Sequence, residues 1–580
     1  MKRSGPREPA AAGRAAPPSA RPLLAFLEGC RRAWSAPRSP QAIVLVLAFW
    51  LTLIGNLALW RALAGLQAGA RGVLVGAGVA VILLAAITTF LSLTAWSRWM
   101  KPVWLAVVLA AAVAQHYMLN FGAIIDTTMI ANVVDTNVGE ARDLLTWTLL
   151  GNILLVAGLP ALWLVPLKVA GRSAGRTTLR VVGLFAVSLA LGLAVTAAMY
   201  SVLAPLVRNN MGLRYLPNPV VPIWSAVKVA IRPLVSRPKA LVPITAGAAL
   251  GPSHAKVGKP PLLVLVVGET ARADHFALNG YPRDTTPELA ARGVLSYRNV
   301  WSCGTNTLAS VPCMFSSLGK TAFEKRQAEH ENLLDVVRAA GMAVLWIDNQ
   351  AGCKSVCDRV GSASTTELAG TPAGARLCSD GECLDEALLE GLDARIAALP
   401  AERRSRGVLL VMHQMGSHGP AYGRRSPPPY KRFQPECRTT TLGDCDPAGL
   451  INVYDNSIAY TDHVLARTID WLRAQDETFA PALLYLSDHG ESLGEYGVFL
   501  HGVPYPFAPD TQKHVPMVAW LGDEIARRDR IDRACLQGRL DERHTHDNLY
   551  HSVLGLLDVA TPTYDAGLDI WSACKQRDEG

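Results

Sequence analysis

Acidic residues follow two apolar segments that have the length of a β-strand. Residues 262–268 end next to Glu269, and residues 483–487 run directly into Asp488 and His489. Buried parallel strands are continuous aliphatic runs, and open α/β sheets bind ligands at the carboxyl ends of their strands. Carboxylate oxygens combined with an imidazole nitrogen are typical of a zinc site, with manganese as the next candidate. We therefore predict that these three residues bind a divalent metal ion.

Two further apolar segments end in the same way. Residues 343–347 lead into Asp348 and Asn349, and residues 408–412 lead into His413. For any one segment, an ordinary turn after a strand is the better explanation. Four such segments together favour a functional site, provided that the four strands are neighbours in one sheet.

Residues 302–307 form a candidate nucleophile segment, with the sequence Ser-Cys-Gly-Thr-Asn-Thr. A hydroxyl residue near glycine at the start of a helix lies where backbone N–H groups and the helix dipole stabilise an anion. A metal ion bound to the hydroxyl would lower its pKa and supply a nucleophile at neutral pH. Taken alone, the segment fits an ordinary helix N-cap equally well.

Three more imidazoles lie near the predicted strand ends. His413 and His418 share one short segment, and His501 follows the glycine-containing residues 490–500. An isolated histidine is usually a hydrogen-bonded structural residue. Clustered near strand ends, these three are better explained as metal ligands or phosphate contacts.

The 580 residues have a mean hydropathy of +0.20, which exceeds that of a soluble enzyme. The apolar excess lies in the first third, in five stretches whose centres are free of charged residues. The five stretches are residues 41–60, 72–96, 102–118, 147–167 and 181–205. They predict a transmembrane domain of five helices over residues 41–205.

Basic residues predict the orientation of this domain, because Lys and Arg near a span resist translocation. The N-terminal tail and the second and fourth connections are basic, whereas the third connection, residues 119–146, is acidic. We therefore predict a disordered cytoplasmic tail over residues 1–40 and export of everything after about residue 206. The basic tail then serves topology and contact with anionic lipid rather than nucleic-acid binding.

Cysteine positions agree with this topology. Of the 11 cysteines, only Cys30 lies in the cytoplasmic tail, and an even number in an oxidising compartment indicates disulfides. Close spacing favours the pairs 303–313, 353–357, 378–383 and 437–445, which leaves 535–574. The spacing does not prove this connectivity. A thiolate zinc site is the weaker alternative, because none of these pairs has the Cys-x-x-Cys spacing.

The exported part has two sections. Residues 206–261 form a connecting section, in which residues 214–236 fit either a helix in the lipid headgroup layer or an ordinary packed helix. Residues 262–580 form one large domain, in which helical patterns at 331–340, 383–399 and 451–475 precede strands. This alternation predicts an α/β fold with a mainly parallel sheet covered by helices on both faces.

The same motifs also resemble those of a known family, the lipid A phosphoethanolamine transferases, which include the mobile colistin-resistance enzymes. The resemblance covers nearly the whole chain, including the five spans. The segments that carry it are residues 268–274, 279–281, 302–307, 310–315, 413–419 and 487–492, in this order. It implies an alkaline-phosphatase/sulfatase-like domain on the periplasmic side of a Gram-negative inner membrane.

The resemblance also implies roles for individual residues. Glu269, Thr307, Asp488 and His489 match the zinc ligands, and Thr307 matches the nucleophile. One zinc ion is expected to bind tightly, with room for a second. Positions that line the substrate phosphate or the second-metal region are matched by Lys354, His418, Glu491 and His501, with His413 close by. A lipid headgroup site is matched by Asn132, Thr136 and Glu140, whose spacing would place them on one helix face.

The reaction implied is a two-step transfer. The threonine takes phosphoethanolamine from phosphatidylethanolamine and passes it to a phosphate of lipid A. The partners are therefore two lipids and the membrane itself, and we expect a monomer. The added positive charge should weaken binding of cationic peptides such as polymyxins and so confer resistance.

Several alternative functions are open to comparison. A sulfatase would need Cys or Ser in a Cys-x-Pro-x-Arg setting, which neither Cys303 nor Cys313 has. A polymerase of lipoteichoic acid would share the spans and the threonine, but the dense cysteines favour a periplasm. A transporter would need charged residues inside the spans. A related phosphotransferase or phosphodiesterase acting on another periplasmic glycan or lipid stays open.

Overall fold

The structure is a computed structural model that describes residues 37–66, 69–136, 138–171, 173–235, 240–255 and 258–576. The chain divides into two compact units. The first comprises Met1–Ala112, Ile153–Pro205 and Asn218–Val220, and the second comprises Val113–Asn152, Leu206–Pro217 and Val221–Gly580. Most of the tail that is predicted to be disordered, residues 1–40, lies outside the described residues. Below, the first unit is called the helical unit and the second the sheet unit.

Four helices in the N-terminal third are long and apolar enough to cross a membrane. They are Gly72–Ser92, Arg98–Asn120, Trp147–Leu164 and Ala174–Ala198. Within the described residues, a fifth candidate span requires that Pro40–Leu53 and Leu57–Leu66, bent by 45° at the break between them, count as one. Four to five candidate spans thus replace the predicted five.

The break between these two helices has a local cause. The side chain of Asn56 donates a hydrogen bond of 2.8 Å to the carbonyl of Leu51 and another of 2.6 Å to that of Asn218. A side-chain amide that bonds the preceding helical turn competes with the helix ladder, and Gly55 beside it lowers helix propensity further. The last helix starts at Ala174 rather than at the predicted residue 181. The helix includes Arg176 and Arg180, whose charges end the apolar stretch in the sequence and so placed the predicted start too late.

The loop between the third and fourth predicted spans folds into two short helices, Thr127–Val134 and Val138–Asp143. Asp126 caps the first by accepting a hydrogen bond of 2.8 Å from the backbone N–H of Met129. Asn132 is in the first helix and Glu140 in the second, so the prediction of one continuous helix face is wrong.

The connecting section contains the helices Tyr200–Asn209 and Val220–Val235. Along the second helix, Trp224, Val227, Ile231 and Leu234 are exposed at 68%, 45%, 46% and 84%. These side chains recur every three or four residues and so form one apolar stripe. This exposed stripe supports the interfacial alternative, which stays a prediction.

The sheet unit is built on eight strands. In chain order they are β1 (Pro261–Gly268), β2 (Leu295–Trp301), β3 (Ala343–Asp348), β4 (Gly361–Ser364), β5 (Val408–His413), β6 (Ala480–Ser487), β7 (His514–Leu521) and β8 (His544–Thr545). Their spatial order is β8-β2-β7-β6-β1-β5-β3-β4. In this sheet β7 runs antiparallel to both of its neighbours, and every other pairing is parallel. The sheet is therefore mixed, with one reversed strand in an otherwise parallel array.

Helices and apolar side chains cover both faces of the sheet. Leu263, Leu265 and Val267 of β1 belong to one buried cluster, and the alternate residues Leu262 and Val264 belong to a second cluster on the other face. The longer helices of this unit are Thr307–Met314, Gly319–Lys325, Leu333–Ala339, Pro447–Ala474 and Asp547–Leu557.

The helix predicted over residues 383–399 is interrupted. A 3₁₀ turn at Asp385–Leu389 is followed by a separate helix, Leu392–Ala397. Gly391 between them has a φ of +70°, a left-handed conformation that glycine adopts at no steric cost and that ends a helix.

Five disulfides occur in the described residues, and all five predicted pairs are confirmed. They join Cys303 to Cys313, Cys353 to Cys357, Cys378 to Cys383, Cys437 to Cys445 and Cys535 to Cys574. The first brackets Thr307, and the second brackets Lys354.

The pair Cys535–Cys574 should stabilise the fold more than the pair Cys353–Cys357. Their sequence separations are 39 and 4 residues, and the chain-entropy model assigns about 4 and about 2 kcal/mol to loops of these lengths. We expect the Cys535→Ser/Cys574→Ser variant to melt at a lower temperature than Cys353→Ser/Cys357→Ser in a thermal-shift assay of the full chain in detergent. The reverse order would show that native-state packing, not loop length, decides these contributions.

Candidate active site

The four predicted strands are consecutive neighbours in the sheet. In the order β6-β1-β5-β3, Ser487 pairs with Gly268, and His413 pairs with both Val267 and Asp348. Because these strands are parallel and in register, their carboxyl ends form one edge. The polar residues predicted to share an edge therefore do so.

Glu269, Asp488 and His489 form a compact buried cluster at this edge. All three side chains are fully buried, and one ligand atom from each lies within 4.8 Å of the others. The Nε2 atom of His489 is 3.3 Å from Glu269 Oε1 and 3.3 Å from Asp488 Oδ2. Among the described residues, neither Asp488 Oδ2 nor His489 Nε2 has a hydrogen-bond partner. Buried polar atoms without partners are costly, so this donor set fits a bound divalent cation.

Electrostatics lead to the same conclusion. Burial raises the pKa of Asp488 well above its ordinary value, and the charge of Glu269 raises it further. For Glu269, burial opposes ionisation, but the adjacent imidazole of His489, with Nε2 3.3 Å from Glu269 Oε1, holds its pKa well below the ordinary value. Two adjacent buried carboxylates cannot both ionise cheaply without a compensating positive charge, which a metal ion supplies.

The hydroxyl of Thr307 faces this cluster. Thr307 is the first residue of the helix Thr307–Met314, and its Oγ1 lies 3.2 Å from each carboxylate oxygen of Glu269. Asn306 caps the helix by accepting a hydrogen bond of 3.0 Å from the N–H of Ala309. The N-cap of this helix is therefore Asn306 and not Thr307. The hydroxyl of Thr307 is directed at the predicted metal ligands.

Glu269 is held in place by the loop that follows β5. The N–H of Ser417 donates a hydrogen bond of 3.0 Å to the Glu269 carbonyl. Gly416 has a φ of +54°, and a Cβ there would lie 2.6 Å from that same carbonyl oxygen. Only glycine permits so close an approach. The buried carboxylate of Asp385 accepts hydrogen bonds from the N–H groups of Met415 and Gly416, at 2.8 and 2.9 Å, and so fixes the loop.

His413 and Asn349 differ in what they contact. His413 is fully buried, and its Nδ1 is 2.9 Å from Asp348 Oδ1. Burial would lower the pKa of His413, but the hydrogen bond and charge of Asp348 raise it. Asn349 donates to Asp385 Oδ1 at 2.7 Å and to the Cys383 carbonyl at 2.9 Å. Asn349 therefore holds the loop and does not face the cluster of Glu269, Asp488 and His489.

His418, His501 and Glu491 lie beside His489. The ring centroids of His501 and His489 are 4.5 Å apart, and those of His418 and His501 are 5.2 Å apart. The buried carboxylate of Glu491 is 2.7 Å from His501 Nδ1 and accepts a hydrogen bond of 2.6 Å from the hydroxyl of Tyr422. Glu491 thus orients His501. Burial lowers the pKa of His418 to about 3, so its imidazole is neutral at physiological pH.

Lys354 meets the loop helices of residues 127–143. Its Nζ lies 2.7 Å from a carboxylate oxygen of Asp135, and its side chain is 5% exposed. Lys354 also lines a cavity of about 970 Å³, together with Thr128 and the two neighbours of Thr307 in sequence, Asn306 and Leu308. Thr136 donates to the Asn132 carbonyl at 2.8 Å. The side chain of Glu140 lies outside the described part of the chain.

His546 was not predicted from the sequence, yet it joins the nucleophile segment to the sheet. Its Nδ1 accepts a hydrogen bond of 3.1 Å from the N–H of Cys303, and its Nε2 is 3.0 Å from the carbonyl of Ser487. These two contacts fix the neutral tautomer with hydrogen on Nε2. Burial lowers the pKa of His546 to about 3.

This pKa predicts a loss of stability in acid. As the pH falls below the ordinary histidine pKa of about 6.5, His546 becomes protonated in the unfolded chain but stays neutral in the folded protein. The stability that is present above that pH is therefore progressively lost. The loss amounts to about 2 kcal/mol at about pH 5. His546→Gln can keep both hydrogen bonds but does not titrate. We therefore expect its melting temperature to fall less than that of the wild type between about pH 7.5 and about pH 5. Parallel curves would contradict a neutral buried imidazole.

Asp385, Tyr422 and His546 are the residues of this site that the sequence did not single out. Asp385 falls inside a predicted helix, Tyr422 follows a loop, and His546 follows a strand of only two residues. None of the three directly follows a long apolar run, the pattern that marks Glu269, Asp488 and His489.

The sheet is mainly parallel, and a buried cluster of carboxylates and a histidine lies at its edge. A threonine at the start of a helix faces this cluster. These features define a domain of the sulfatase type. The family model described as Sulfatase matches residues 261–559, and that described as phosphoethanolamine transferase EptA/EptB matches residues 83–234. Phosphoethanolamine transferase EptA of Salmonella typhimurium is 39% identical over 549 residues, covering 93% of this chain and 97% of that protein. Phosphatidylethanolamine transferase Mcr-1 of Escherichia coli is 36% identical over 529 residues, covering 90% and 95%.

A solved structure agrees over the whole length. The integral membrane lipooligosaccharide phosphoethanolamine transferase A of Neisseria meningitidis aligns with a TM-score of 0.87 and 32% identity, covering 92% of this chain and 99% of that chain. The chain belongs to the phosphoethanolamine transferase family. The predicted family, its transferase activity, the helical membrane region and the sulfatase-like domain are thereby confirmed.

Proposed function

We propose that this protein transfers phosphoethanolamine from phosphatidylethanolamine to a phosphate of lipid A, through a covalent phosphoethanolamine-threonine intermediate on Thr307. The observation that carries the proposal is the position of the Thr307 hydroxyl, 3.2 Å from both carboxylate oxygens of Glu269 at the helix start. A nucleophile needs an adjacent activating group within hydrogen-bond reach, and this contact has that geometry.

In the first step, Thr307 Oγ1 attacks the donor phosphorus in line, the bond to the diacylglycerol oxygen breaks, and diacylglycerol leaves. In the second step, a phosphate oxygen of lipid A attacks the same phosphorus and releases the threonine. The Thr307 hydroxyl gives up its proton in the first step and the departing diacylglycerol oxygen takes one up, whereas in the second step the threonine oxygen is protonated again as its bond to phosphorus breaks. Phosphoryl transfer needs little beyond positioning and charge neutralisation.

Glu269, Asp488, His489 and Thr307 would hold a zinc ion, and a second metal could be held nearer to His418 and His501. When bound, zinc would lower the pKa of the threonine hydroxyl and neutralise charge on the transferred phosphate. His501, oriented by Glu491, is the candidate for protonating the leaving alkoxide, because the imidazole of His418 is neutral at physiological pH. His413, buried beside Asp348, would support the cluster electrostatically.

Lys354 would bind the substrate phosphate, and Asn132, Thr136 and Glu140 would bind the lipid headgroup. The support is that Lys354 and Thr128, in the same short helix as Asn132, line the cavity next to Thr307. Both substrates are lipids, so anchoring in the membrane raises their effective concentration at the site. We further propose that the protein is a monomer of the Gram-negative inner membrane, with the sheet unit in the periplasm.

The proposal is tested by expressing the chain in a polymyxin-sensitive Gram-negative host and weighing extracted lipid A by mass spectrometry. We expect a phosphoethanolamine increment on a lipid A phosphate and growth at higher polymyxin concentration. Fragmentation distinguishes a phosphate acceptor from an attached sugar acid. An increment on another glycan would support the alternative acceptor, and none on any extracted lipid or glycan would contradict the transfer itself.

A further inference from the structure

A second cavity lies at the opposite end of the sheet from the candidate active site. It has a volume of about 440 Å³ and includes Lys259 and Pro260, just before β1, and Arg406, just before β5. The eight residues of β1 span about 25 Å, which separates this cavity from Glu269. The cavity therefore lies too far away to take part in the transfer reaction.

The lining of this cavity is strongly basic. Among the residues that the structure describes, five cationic side chains and one carboxylate line it. The cations are Lys259, Arg406, Arg527, Arg528 and Arg530, and the carboxylate is Glu524. Arg406, Arg527 and Arg528 are paired with Glu402, Glu524 and Asp529. The excess of positive charge that is left in this concave surface raises the local concentration of anions. Its volume is in the range of sites that bind small molecules.

Arg528 gives this cavity an unused hydrogen-bond donor. Its Nε and Nη2 bond the carboxylate of Asp529 at 2.8 and 3.2 Å, and Nη2 also bonds the carbonyl of Leu556 at 3.0 Å. The side chain is only 7% exposed, and its Nη1 finds no partner in the part of the chain that the structure describes. A buried guanidinium nitrogen that bonds nothing is costly, so this atom indicates a ligand.

The neighbouring wall is anchored to the same turn. His254 Nε2 is 2.8 Å from the carbonyl of Leu557, and the N–H of Ser253 donates to Asp558 Oδ2 at 2.7 Å. The hydroxyl of Ser253 is buried and unpartnered within the described ranges. Ser253 lines the cavity together with Arg528.

We propose that this cavity binds a phosphate group carried by a small solute, through Arg528 Nη1, the Ser253 hydroxyl and the surrounding cations. Guanidinium groups match tetrahedral oxyanions through paired N–H donors, and the charge excess favours a dianion over a single carboxylate. Inorganic phosphate and a sugar phosphate share this chemistry. The inference stands on its own observations and does not depend on the proposed transfer reaction.

Binding can be localised by arginine modification. The full-length, zinc-loaded protein in detergent is treated with phenylglyoxal, and peptide mass spectrometry follows Arg406 and Arg527, which are 44% and 68% exposed. Inorganic phosphate or glucose 1-phosphate should slow modification of both, relative to sodium chloride of equal ionic strength, whereas exposed Arg376, which does not line the cavity, reacts unchanged. Stronger protection by glucose 1-phosphate would identify a solute-borne phosphate. No protection by either compound would overturn the proposal.

A titration of this protection measures the affinity at the cavity itself and is unaffected by phosphate bound at the zinc centre. Arg528→Gln should raise the Kd at least about tenfold. Because this variant leaves Asp529 buried without its partner, Arg406→Gln serves as a second test on a half-exposed residue and should raise the Kd about two- to fivefold. Arg376→Gln is the matched control. A Kd unchanged in both cavity variants would overturn the proposal.

Discussion

Thr307→Ala is expected to abolish transfer, with a fall in kcat/KM of at least about a thousandfold. The hydroxyl that faces Glu269 at 3.2 Å is the only atom lost that could form the covalent intermediate, and the backbone of the helix start is unchanged. Activity is measured with purified protein in detergent, a fluorescent phosphatidylethanolamine donor and lipid A. Because the variant keeps Glu269, Asp488 and His489, the three other proposed metal ligands, we expect it to retain bound zinc.

Thr307→Ser is the matched control. It keeps the nucleophilic oxygen but loses the methyl group that restricts rotation, so a fall of about ten- to hundredfold is expected. Incubation of the wild type with donor alone should add the mass of phosphoethanolamine to the peptide that contains Thr307, and this adduct should be absent from the alanine variant. Full activity of Thr307→Ala, or an adduct on another residue, would remove Thr307 from its proposed role.

Glu269→Gln and Asp488→Asn are expected to remove the metal and, with it, the activity. Each variant replaces an anionic ligand by a neutral one in a fully buried cluster, and we expect zinc affinity to fall at least about a hundredfold. Metal content after dialysis, measured by mass spectrometry of the elements, reports this directly. Asp541→Asn, whose carboxylate is 77% exposed, is the matched control and should keep both zinc and activity.

The difference in melting temperature between Asp488→Asn and the wild type should reverse its sign when the metal is added. In chelator, Asp488→Asn should melt at a higher temperature than the wild type, because burial and the charge of Glu269 raise the pKa of Asp488 and make its ionisation costly. With zinc present, the wild type should be the more stable of the two, since bound metal stabilises the folded state by mass action. The same order of melting temperatures in both conditions would show that the cluster does not depend on a cation.

The polar ends of the strands were predictable because they are a local signal. Continuous aliphatic runs such as residues 262–267 and 483–486 are buried on both faces, and the turn residue that follows such a run is visible in the sequence itself. Glu269, Asp488 and His489 were found in this way. Close spacing in the same manner indicated four of the disulfides, since short loops bring their cysteines together with little choice of partner, and the fifth pair was the one that remained.

In the membrane region, local sequence patterns did not predict where helices break. Hydropathy identified the apolar stretches, but it could not detect that Asn56 bonds the carbonyl of Leu51 and bends the first of them. The spacing of Asn132 and Glu140 predicted one helix, although Asp135 and Thr136 separate two. In the first case, a side-chain contact outweighed the periodic pattern.

The sequence by itself determined which residues of this protein could do chemistry and which strands and cysteines accompany them, because these properties depend on a few neighbouring residues. Only the tertiary structure decided that β6, β1, β5 and β3 are adjacent, and that Thr307, 38 residues beyond Glu269, faces its carboxylate. It also assigned the loop of residues 113–152 to the sheet unit and supplied Asp385 and His546 as supports. Strand order and such distant contacts follow from packing the whole core at once, which no local pattern in the chain encodes.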